Sequence, residues 1–266
     1  MTADQPDLFS FSKLQPAFPC VLVMPAYNEE ACIAAVVTSW IGEFNRTFGA
    51  QFRMIVVNDG SRDRTGETLD QLAASEPRLR VIHQKNSGHG GALLRGYREA
   101  VALKPAYVFH VDSDDQFKPT DFPRLWARRT ESPCILGFRV VRHDALHRLI
   151  ITRLLRFVLM LLYGCYIKDS NVPFRLLETG FLEEALRIIP PQTFAPNIFL
   201  AVLAARIDAD LMHIPVSHED RKTGTVSIVR WKLIRVCFRC VGELLAFRRI
   251  LANNVPALKL KLARVV

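Results

Sequence analysis

The segment DSDDQ, residues 112–116, consists entirely of polar residues. Asp112, Asp114 and Gln116 stand at positions i, i+2 and i+4, so an extended backbone would point all three to one side. Their oxygens suit Mg²⁺ or Mn²⁺, and such an ion keeps positions that phosphate oxygens can fill. The spacing predicts a divalent metal site that acts on a diphosphate. An acidic turn that caps the next helix is the alternative.

Two further polar loops follow apolar runs, PAYNEE at 25–30 and NDGSRDRT at 58–65. Pro25 and Tyr27 would offer a rigid, flat wall for a nucleobase, while Glu29 accepts hydrogen bonds from the base or ribose. Alone, the first loop is a strand-to-helix turn with Asn28 as the N-cap. In the second loop we assign Asp59 to the nucleotide, and Asp63, as a helix cap, to structure.

Alternating apolar and helical segments must position these loops. Apolar runs at 20–24, 52–57, 80–83 and 106–111 are separated by stretches with apolar residues at three-and-four spacing. This order predicts parallel strands covered by helices, joined by right-handed crossovers. Ligands bind at the carboxyl ends of such strands, so the three loops should converge. Their crowded carboxylates would need a cation.

The glycine-rich segment NSGHGGALLRG covers residues 86–96 and opens a helix. It follows the third strand and does not match G-x-G-x-x-G, so a dinucleotide site is not indicated. We interpret the segment as close packing beside the nucleotide, and His89 as a structural residue.

The second half of the chain changes character. Residues 144–163 and 178–207 look helical, and ADLMHIPV at 209–216 reads as one strand. We predict an N-terminal tail at 1–18, a catalytic domain at 19–225 and a basic amphipathic segment at 226–266. Within the domain, residues 19–140 would bind the nucleotide and metal, and residues 141–225 the second substrate.

Positive charge is concentrated near the end of the chain. The formal net charge is +9, and residues 221–266 hold eleven Lys or Arg but one acid, Glu243. Trp231, Leu233 and Phe247 interleave with these charges at roughly helical spacing, which favours an interfacial helix on an anionic membrane over nucleic-acid binding. An Arg-rich helix packed against the domain is the alternative.

No segment predicts a membrane span or an export signal. Arg153 and Arg156 interrupt the best apolar stretch, residues 149–163, which either lines an acyl-chain groove or packs the domain, with packing the favoured interpretation. The residues before Pro19 lack the basic start and apolar run of a secretory signal. We therefore expect a cytoplasmic protein, peripheral on the cytoplasmic face of a membrane.

Taken together, the motifs resemble the family 2 glycosyltransferases of GT-A fold, and most closely their dolichyl- and polyprenyl-phosphate sugar synthase branch. The resemblance covers roughly residues 19–225. It lies in PAYNEE, VVNDGSRDRT, the glycine-rich segment, DSDDQ, GFR at 137–139, DSNVPFRLL at 169–177 and HEDRKTG at 218–224.

The resemblance implies roles for individual positions. The metal would be held by Asp112, Asp114 and Gln116, and Arg139 and Arg221 would bind the donor diphosphate or the acceptor phosphate. The residues that it assigns to the nucleotide sugar are Pro25, Tyr27, Glu29, Val57 and Asp59, together with the D-x-D element Asp112, Ser113 and Asp114.

Three positions depart from the family pattern. Asn58 precedes Asp59 where two aspartates are usual, and Asp115 replaces an apolar residue. The Ser-Lys pair expected after Arg221 and Gly224 is replaced by Val226-Ser227-Ile228. The last departure bears on the acceptor phosphate more than on the donor.

The predicted reaction is an inverting sugar transfer from a UDP- or GDP-linked donor to a lipid phosphate. A phosphate acceptor is largely ionised at neutral pH and needs no general base. If the acceptor is instead a saccharide or glycolipid hydroxyl, Asp169 or Asp220 could serve as the base. Arg175 would pair with Asp169 or meet an acceptor phosphate. A binding protein without turnover is a further alternative.

Overall fold

The computed structural model describes residues 16–139, 146–207, 211–219 and 230–263. Seven strands form one sheet: β1 (Cys20–Ala26), β2 (Phe52–Asn58), β3 (Leu79–His83), β4 (Tyr107–Val111), β5 (Cys134–Arg139), β6 (Phe174–Glu178) and β7 (Met212–Val216). The helices are α1 (Ile33–Phe48), α2 (Thr65–Ser75), α3 (Gly88–Ala102), α4 (Phe122–Ala127), α5 (Leu146–Tyr163), α6 (Thr179–Ile188), α7 (Pro196–Ile207) and α8 (Arg230–Ala263).

The sheet has the strand order β3-β2-β1-β4-β6-β5-β7. Parallel pairing joins β1 to β2 and β4, β2 to β3, and β5 to β7. Strand β1, in the interior of the sheet, is buried along its whole length, as expected for a strand covered by helices on both faces. The α/β fold with a mostly parallel sheet agrees with the sequence-based prediction.

Strand β6 is the exception to the parallel pattern. It runs antiparallel to both of its neighbours, β4 and β5. Because β6 lies between β4 and β5, β5 points in the same direction as β4. The carboxyl ends of β1, β2, β4, β5 and β7 therefore share one edge of the sheet, and the N-terminal end of β6 lies there too.

Aromatic side chains fill the core between α1, α4 and the sheet. The Phe44 ring stacks on Phe122 with ring centroids 4.6 Å apart, and Phe109 contacts Phe122 at 4.8 Å and Phe174 at 4.9 Å. Trp40 is also fully enclosed. Rings contribute much buried area with few rotatable bonds, so this cluster fixes α1 against β4 and β6.

On the other face, α3 lies directly against β1 and β2. A Cβ atom at Gly96 would come within 2.5 Å of Val23 Cγ1 and 3.3 Å of Val57 Cγ2, so only glycine permits this approach. The close contact brings the N-terminal end of α3 beside the carboxyl ends of the strands.

The structure corrects three elements of the sequence interpretation. The segment 174–178 forms β6 although it was not predicted as a strand. The stretch 178–207 is two helices, since Pro190 and Pro191 interrupt the hydrogen-bond pattern that one helix needs. Helix α1 begins at Ile33, so Asn28 is not its N-cap.

Helix α8 packs on the domain with the apolar stripe Leu244, Phe247, Leu251 and Val255, all buried. In this part of α8 the packed-helix alternative is therefore correct. The side chains of Trp231 and Leu233 lie outside the described residues. No helix in the described parts of the chain combines the length and apolar character that crossing a bilayer requires.

Candidate active site

A cleft of about 360 Å³ lies at the carboxyl ends of β1, β2 and β4. All three polar loops that the sequence singled out reach it, as the parallel topology predicts. The lining residues are Pro25, Ala26, Tyr27, Glu29, Asp59, Asn86, Gly88, His89, Ala92, Asp112, Ser113, Asp114 and Phe194.

The first loop is held by its neighbour rather than by a helix cap. Asn28 has a left-handed backbone, with φ of 54°. Its side-chain oxygen accepts a hydrogen bond from the Arg62 amide at 2.8 Å, and its own amide donates to Ser61 Oγ at 3.0 Å. With the loop held by these two hydrogen bonds, Tyr27 is exposed on the cleft wall, where a flat ring can meet a nucleobase.

Asp63 stabilises the same loop through hydrogen bonds. The Glu29 amide donates to Thr65 Oγ1, and that hydroxyl donates to Asp63 Oδ1 at 2.6 Å. The Glu30 amide donates to Asp63 Oδ2. Burial opposes ionisation of Asp63, but these hydrogen bonds outweigh it and lower its pKa. Asp63 is thus structural, as predicted, while the Glu29 side chain lies at the cleft.

Asp59 connects the second loop to the glycine-rich segment. It is 2% exposed, and its Oδ1 accepts hydrogen bonds from the Ser87 amide at 2.8 Å and from Gln84 Nε2 at 2.7 Å. These contacts fix the Asp59 carboxylate at the cleft and also fix the start of α3.

Asp112 lies between two imidazole rings. His110 Nε2 is 3.3 Å and His89 Nε2 is 3.8 Å from Asp112 Oδ1. Burial alone would raise the pKa of Asp112, but His89, His110 and the buried Arg175 more than offset it, so the pKa is lowered. Burial lowers the pKa of His110 to about 4. At neutral pH Asp112 is therefore ionised and His110 is a neutral hydrogen-bond donor to it.

Phe194, Asn86 and His89 are site residues that sequence reasoning missed or placed elsewhere. Phe194 reaches the cleft because the segment before α7 crosses the first turn of α3. A Cβ at Gly90 would lie 2.6 Å from the carbonyl oxygens of Thr193 and Phe194. The second glycine of the GHGG segment was the available signal for this close crossing.

Gln116, predicted to bind the metal, and Val57, predicted to bind the nucleotide, make other contacts in the structure. Gln116 Nε2 donates to the main-chain carbonyl of Glu219 at 3.0 Å, and the main-chain carbonyl of Gln116 accepts from the Glu219 amide. Gln116 therefore links the D-x-D loop to the segment after β7. It does not line the cleft. Val57 is fully buried against α3, which leaves its side chain unable to touch a nucleotide.

A second, smaller pocket of about 240 Å³ opens at the carboxyl end of β5. Arg139 lies there in a two-pronged ion pair with Asp169, with Nε–Oδ2 at 2.9 Å and Nη2–Oδ1 at 3.2 Å. Its other lining residues are Phe138, Arg156, Tyr166 and Lys168. Among the described residues, three cations and one carboxylate line this pocket, so it is suited to an anionic group.

Arg175 does not reach either pocket, and the prediction that it meets a phosphate or Asp169 is wrong. Its side chain is fully buried, and its guanidinium donates to the backbone carbonyls of Ser170, Val172 and Asn197. Arg175 is therefore a structural residue of β6. Asp220 and Arg221 lie outside the described residues.

The carboxylates of the cleft fit a divalent cation by the chemistry of their oxygens. Asp112 and Asp114 come from one loop and face the same cleft as Asp59 and Glu29. So many carboxylates at one opening are stable together only with positive charge nearby. Hard oxygen donors of this kind bind Mg²⁺ or Mn²⁺.

Comparison with known proteins connects these features to characterised enzymes. The model of the family described as Glycosyl transferase family 2 matches residues 21–169. An undecaprenyl-phosphate 4-deoxy-4-formamido-L-arabinose transferase of Pectobacterium atrosepticum is 28% identical over 221 residues, which are 82% of this chain and 64% of that protein. Its counterpart from Pseudomonas paraeruginosa is 27% identical over 83% of this chain and 63% of its own length. The chain thus spans slightly less than two thirds of these relatives.

Among solved structures, glucosyl-3-phosphoglycerate synthase from Mycobacterium tuberculosis, in complex with Mn²⁺, uridine diphosphate and phosphoglyceric acid, superposes with a TM-score of 0.61. It is 20% identical and covers 87% of this chain and 78% of that one. At this identity the likeness concerns the fold, and it agrees with the GT-A architecture expected from the sequence.

Proposed function

The chain belongs to glycosyl transferase family 2, and from this premise we propose that it transfers a sugar from a nucleotide-diphosphate sugar to a polyprenyl-type lipid phosphate with inversion. The carboxylate-rich cleft would bind the donor, and the cationic pocket at β5 the acceptor phosphate. The observation that carries the proposal is that these two opposite electrostatic environments share one edge of the sheet.

The donor part of the proposal rests on the first cleft. Pro25 and Tyr27 present a rigid wall to the base, while the fixed carboxylates of Glu29 and Asp59 accept hydrogen bonds from the base or ribose. Bound Mg²⁺ or Mn²⁺, held by Asp112 and Asp114, would supply positive charge to the departing diphosphate. The structural neighbour's complex with Mn²⁺ and uridine diphosphate supports this arrangement.

The acceptor part rests on the second pocket. Asp169 engages Nε and Nη2 of Arg139 and so orients the guanidinium plane, while Nη1 is outside that pair. Both oxygens of Asp169 accept hydrogen bonds from Arg139, and this engagement disfavours Asp169 as a general base for a hydroxyl acceptor. A phosphate acceptor needs no base, because it is already ionised near neutral pH.

An exposed apolar face on α5, the helix that supplies Arg156 to this pocket, supports a lipid carrier. Leu154, Phe157 and Leu161 lie at i, i+3 and i+7 on α5 and are 58%, 56% and 71% exposed. The expectation that residues 149–163 mainly pack the core is therefore wrong for this face. Exposed apolar stripes bordered by basic residues, here Arg153 and Arg156, are typical of helices that lie on anionic membranes.

In the proposed reaction the acceptor phosphate oxygen attacks the anomeric carbon on the face opposite the leaving diphosphate. Arg139, with Lys168 and Arg156, would hold the attacking phosphate, and the donor cleft would hold the sugar for a single in-line displacement. One displacement inverts the anomeric configuration. The undecaprenyl-phosphate transferases that this chain resembles support a lipid phosphate as the acceptor.

The test is a transfer assay with the purified protein and a panel of radiolabelled UDP- and GDP-sugars. Vesicles would contain polyprenyl phosphate, the matching polyprenol, or neither, and phosphoglyceric acid would be offered in a separate reaction. We expect label in the organic phase with polyprenyl phosphate and a divalent metal. Transfer to phosphoglyceric acid or to polyprenol in place of polyprenyl phosphate would contradict the proposal.

A further inference from the structure

Two histidines outside the D-x-D element approach the same oxygen of Asp112. His89 comes from the first turn of α3 and His110 from β4. His89 Nε2, His110 Nε2 and Asp112 Oδ1 form one cluster, since the candidate ligand atoms of these three residues all lie within 4.8 Å of one another. The family-type metal site, built from oxygens alone, does not account for this pair of imidazoles.

The two rings differ in access to the cleft. The side chain of His89 is 49% exposed and lines the cleft together with Asp112 and Asp114. His110 is fully buried, and its Nε2 is 3.3 Å from Asp112 Oδ1. An ion that enters the cleft can therefore reach His89, whereas His110 contacts the carboxylate from the protein side.

The spacing of the cluster is compatible with one ion. Ligand atoms about 2.1 Å from a six-coordinate metal lie about 3 Å apart when adjacent and about 4.2 Å apart when opposite. The 3.8 Å between His89 Nε2 and Asp112 Oδ1 falls between these two values. Because the His89 side chain is 49% exposed, its imidazole can change rotamer to approach either arrangement.

We propose that His89 supplies a nitrogen ligand to the metal held by Asp112 and Asp114, and that His110 is a positioning residue that orients Asp112 by a hydrogen bond. Mg²⁺ takes oxygen ligands and keeps its water shell, whereas imidazole is a ligand of transition-metal ions. The centre is therefore selective for Mn²⁺ over Mg²⁺.

This inference deepens the proposed function, because it concerns the metal of the same donor cleft. Its test measures metal binding without donor, acceptor or turnover. If the protein does not transfer sugar to lipid phosphate, the metal-binding result still stands. If His89 does not bind the metal, the acceptor is still decided by the transfer assay.

The experiment titrates Mn²⁺ into the purified chain of residues 1–266 and follows free Mn²⁺ by electron paramagnetic resonance, with Mg²⁺ measured by competition. Electron spin echo envelope modulation of the bound Mn²⁺ then reports whether a ¹⁴N nucleus is coordinated. The variants are His89→Gln and His110→Leu. His83→Gln is the matched control, because His83 also pairs with a carboxylate, Asp70 at 2.9 Å, but does not line the cleft.

We expect ¹⁴N modulation in the wild type and in His83→Gln. In His89→Gln the modulation should be lost. The Mn²⁺ affinity of His89→Gln should be at least about tenfold weaker than that of the wild type, and its Mg²⁺ affinity nearly unchanged. His110→Leu should weaken Mn²⁺ binding by about tenfold and keep the modulation. Modulation that persists in His89→Gln would assign the nitrogen to another histidine and overturn the proposal. Absence of modulation in the wild type would also overturn it. Since His89 is exposed, its variant should fold even if His110→Leu does not.

Discussion

The cleft that we propose binds the donor and the cationic pocket at β5 share one sheet edge but are built differently. In the donor cleft, buried carboxylates are fixed by short contacts between successive loops, as Asp59 is by Ser87 and Gln84. The cationic pocket joins the end of β5 to the segment before the antiparallel strand β6, through Arg139 and Asp169. The first cleft is thus fixed by loops that follow parallel strands, whereas the cationic pocket depends on how β6 enters the sheet.

Replacing Arg175 tests whether β6 holds the acceptor side in place. Arg175→Met should lower the free energy of unfolding by about 3–5 kcal/mol, since backbone carbonyls of Ser170, Val172 and Asn197 lose buried charged donors. Chemical denaturation measures the change. Arg187→Met, at an exposed arginine paired with Glu183 and Glu184, is the control and should cost less than about 1 kcal/mol. Equal stabilities of the two variants would contradict the structural role.

Asp114 tests the donor side. Asp114→Ala should lower the transfer rate by about 100- to 1000-fold, because charge on the departing diphosphate loses its stabilisation. Steady-state kinetics with saturating acceptor give the rate. The control is Asp115→Asn, which keeps the left-handed backbone at φ of 58° that Asn tolerates and alters an acid outside the cleft. A similar loss in both variants would show that the loop's charge, rather than Asp114 itself, matters.

Glu243 tests whether the C-terminal helix contributes to the donor cleft. Its Oε2 accepts hydrogen bonds from Thr193 Oγ1 at 2.7 Å and from the Phe194 amide at 3.1 Å, so α8 holds the segment that crosses α3. Glu243→Ala should raise the donor KM by about three- to tenfold, with little change in the KM of the acceptor. Glu184→Ala on α6 is the control. An unchanged donor KM would separate α8 from the cleft.

Asp63 gives the smallest expected effect and carries a pH signature. Asp63→Ala should cost about 1 kcal/mol at pH 7, as for the loss of a helix-capping carboxylate. Because the folded-state pKa of Asp63 is lowered, its contribution is present above its unfolded pKa, near 3.8, and is lost as pH falls through the lower folded value. Thermal unfolding of both proteins from pH 7 to about pH 1.5 measures this. A stability gap independent of pH would contradict the ionic role.

The sequence predicted which loops meet at the carboxylate-rich cleft, because each loop is marked by its own residues. Each strand carries its polar loop at its own end, and the parallel topology alone brings Asp59 and Asp112 to one cleft. Phe194 and His89 escaped prediction because their positions follow from tertiary packing, through Gly90 and the contact between α3 and the segment before α7.

The acceptor side was less accessible to sequence reasoning. The residues of β6 are as compatible with a loop as with a strand, and only pairing with β4 and β5 decides between them. That pairing buries Arg175 and leaves Arg139 at the pocket, although both looked equally suited to bind phosphate. Likewise, the apolar pattern of α5 does not reveal that Leu154 and Leu161 face outward, because exposure depends on where the neighbouring helices lie.

The central claim is that donor and acceptor occupy separate sites on one sheet edge, and Arg139→Gln tests it most directly. Transfer to vesicles with polyprenyl phosphate gives the acceptor KM, and calorimetry gives the donor Kd, with Arg128→Gln as an exposed control. The account predicts an acceptor KM at least about tenfold higher and a donor Kd changed less than about twofold. A raised donor Kd with an unchanged acceptor KM would contradict separate donor and acceptor sites.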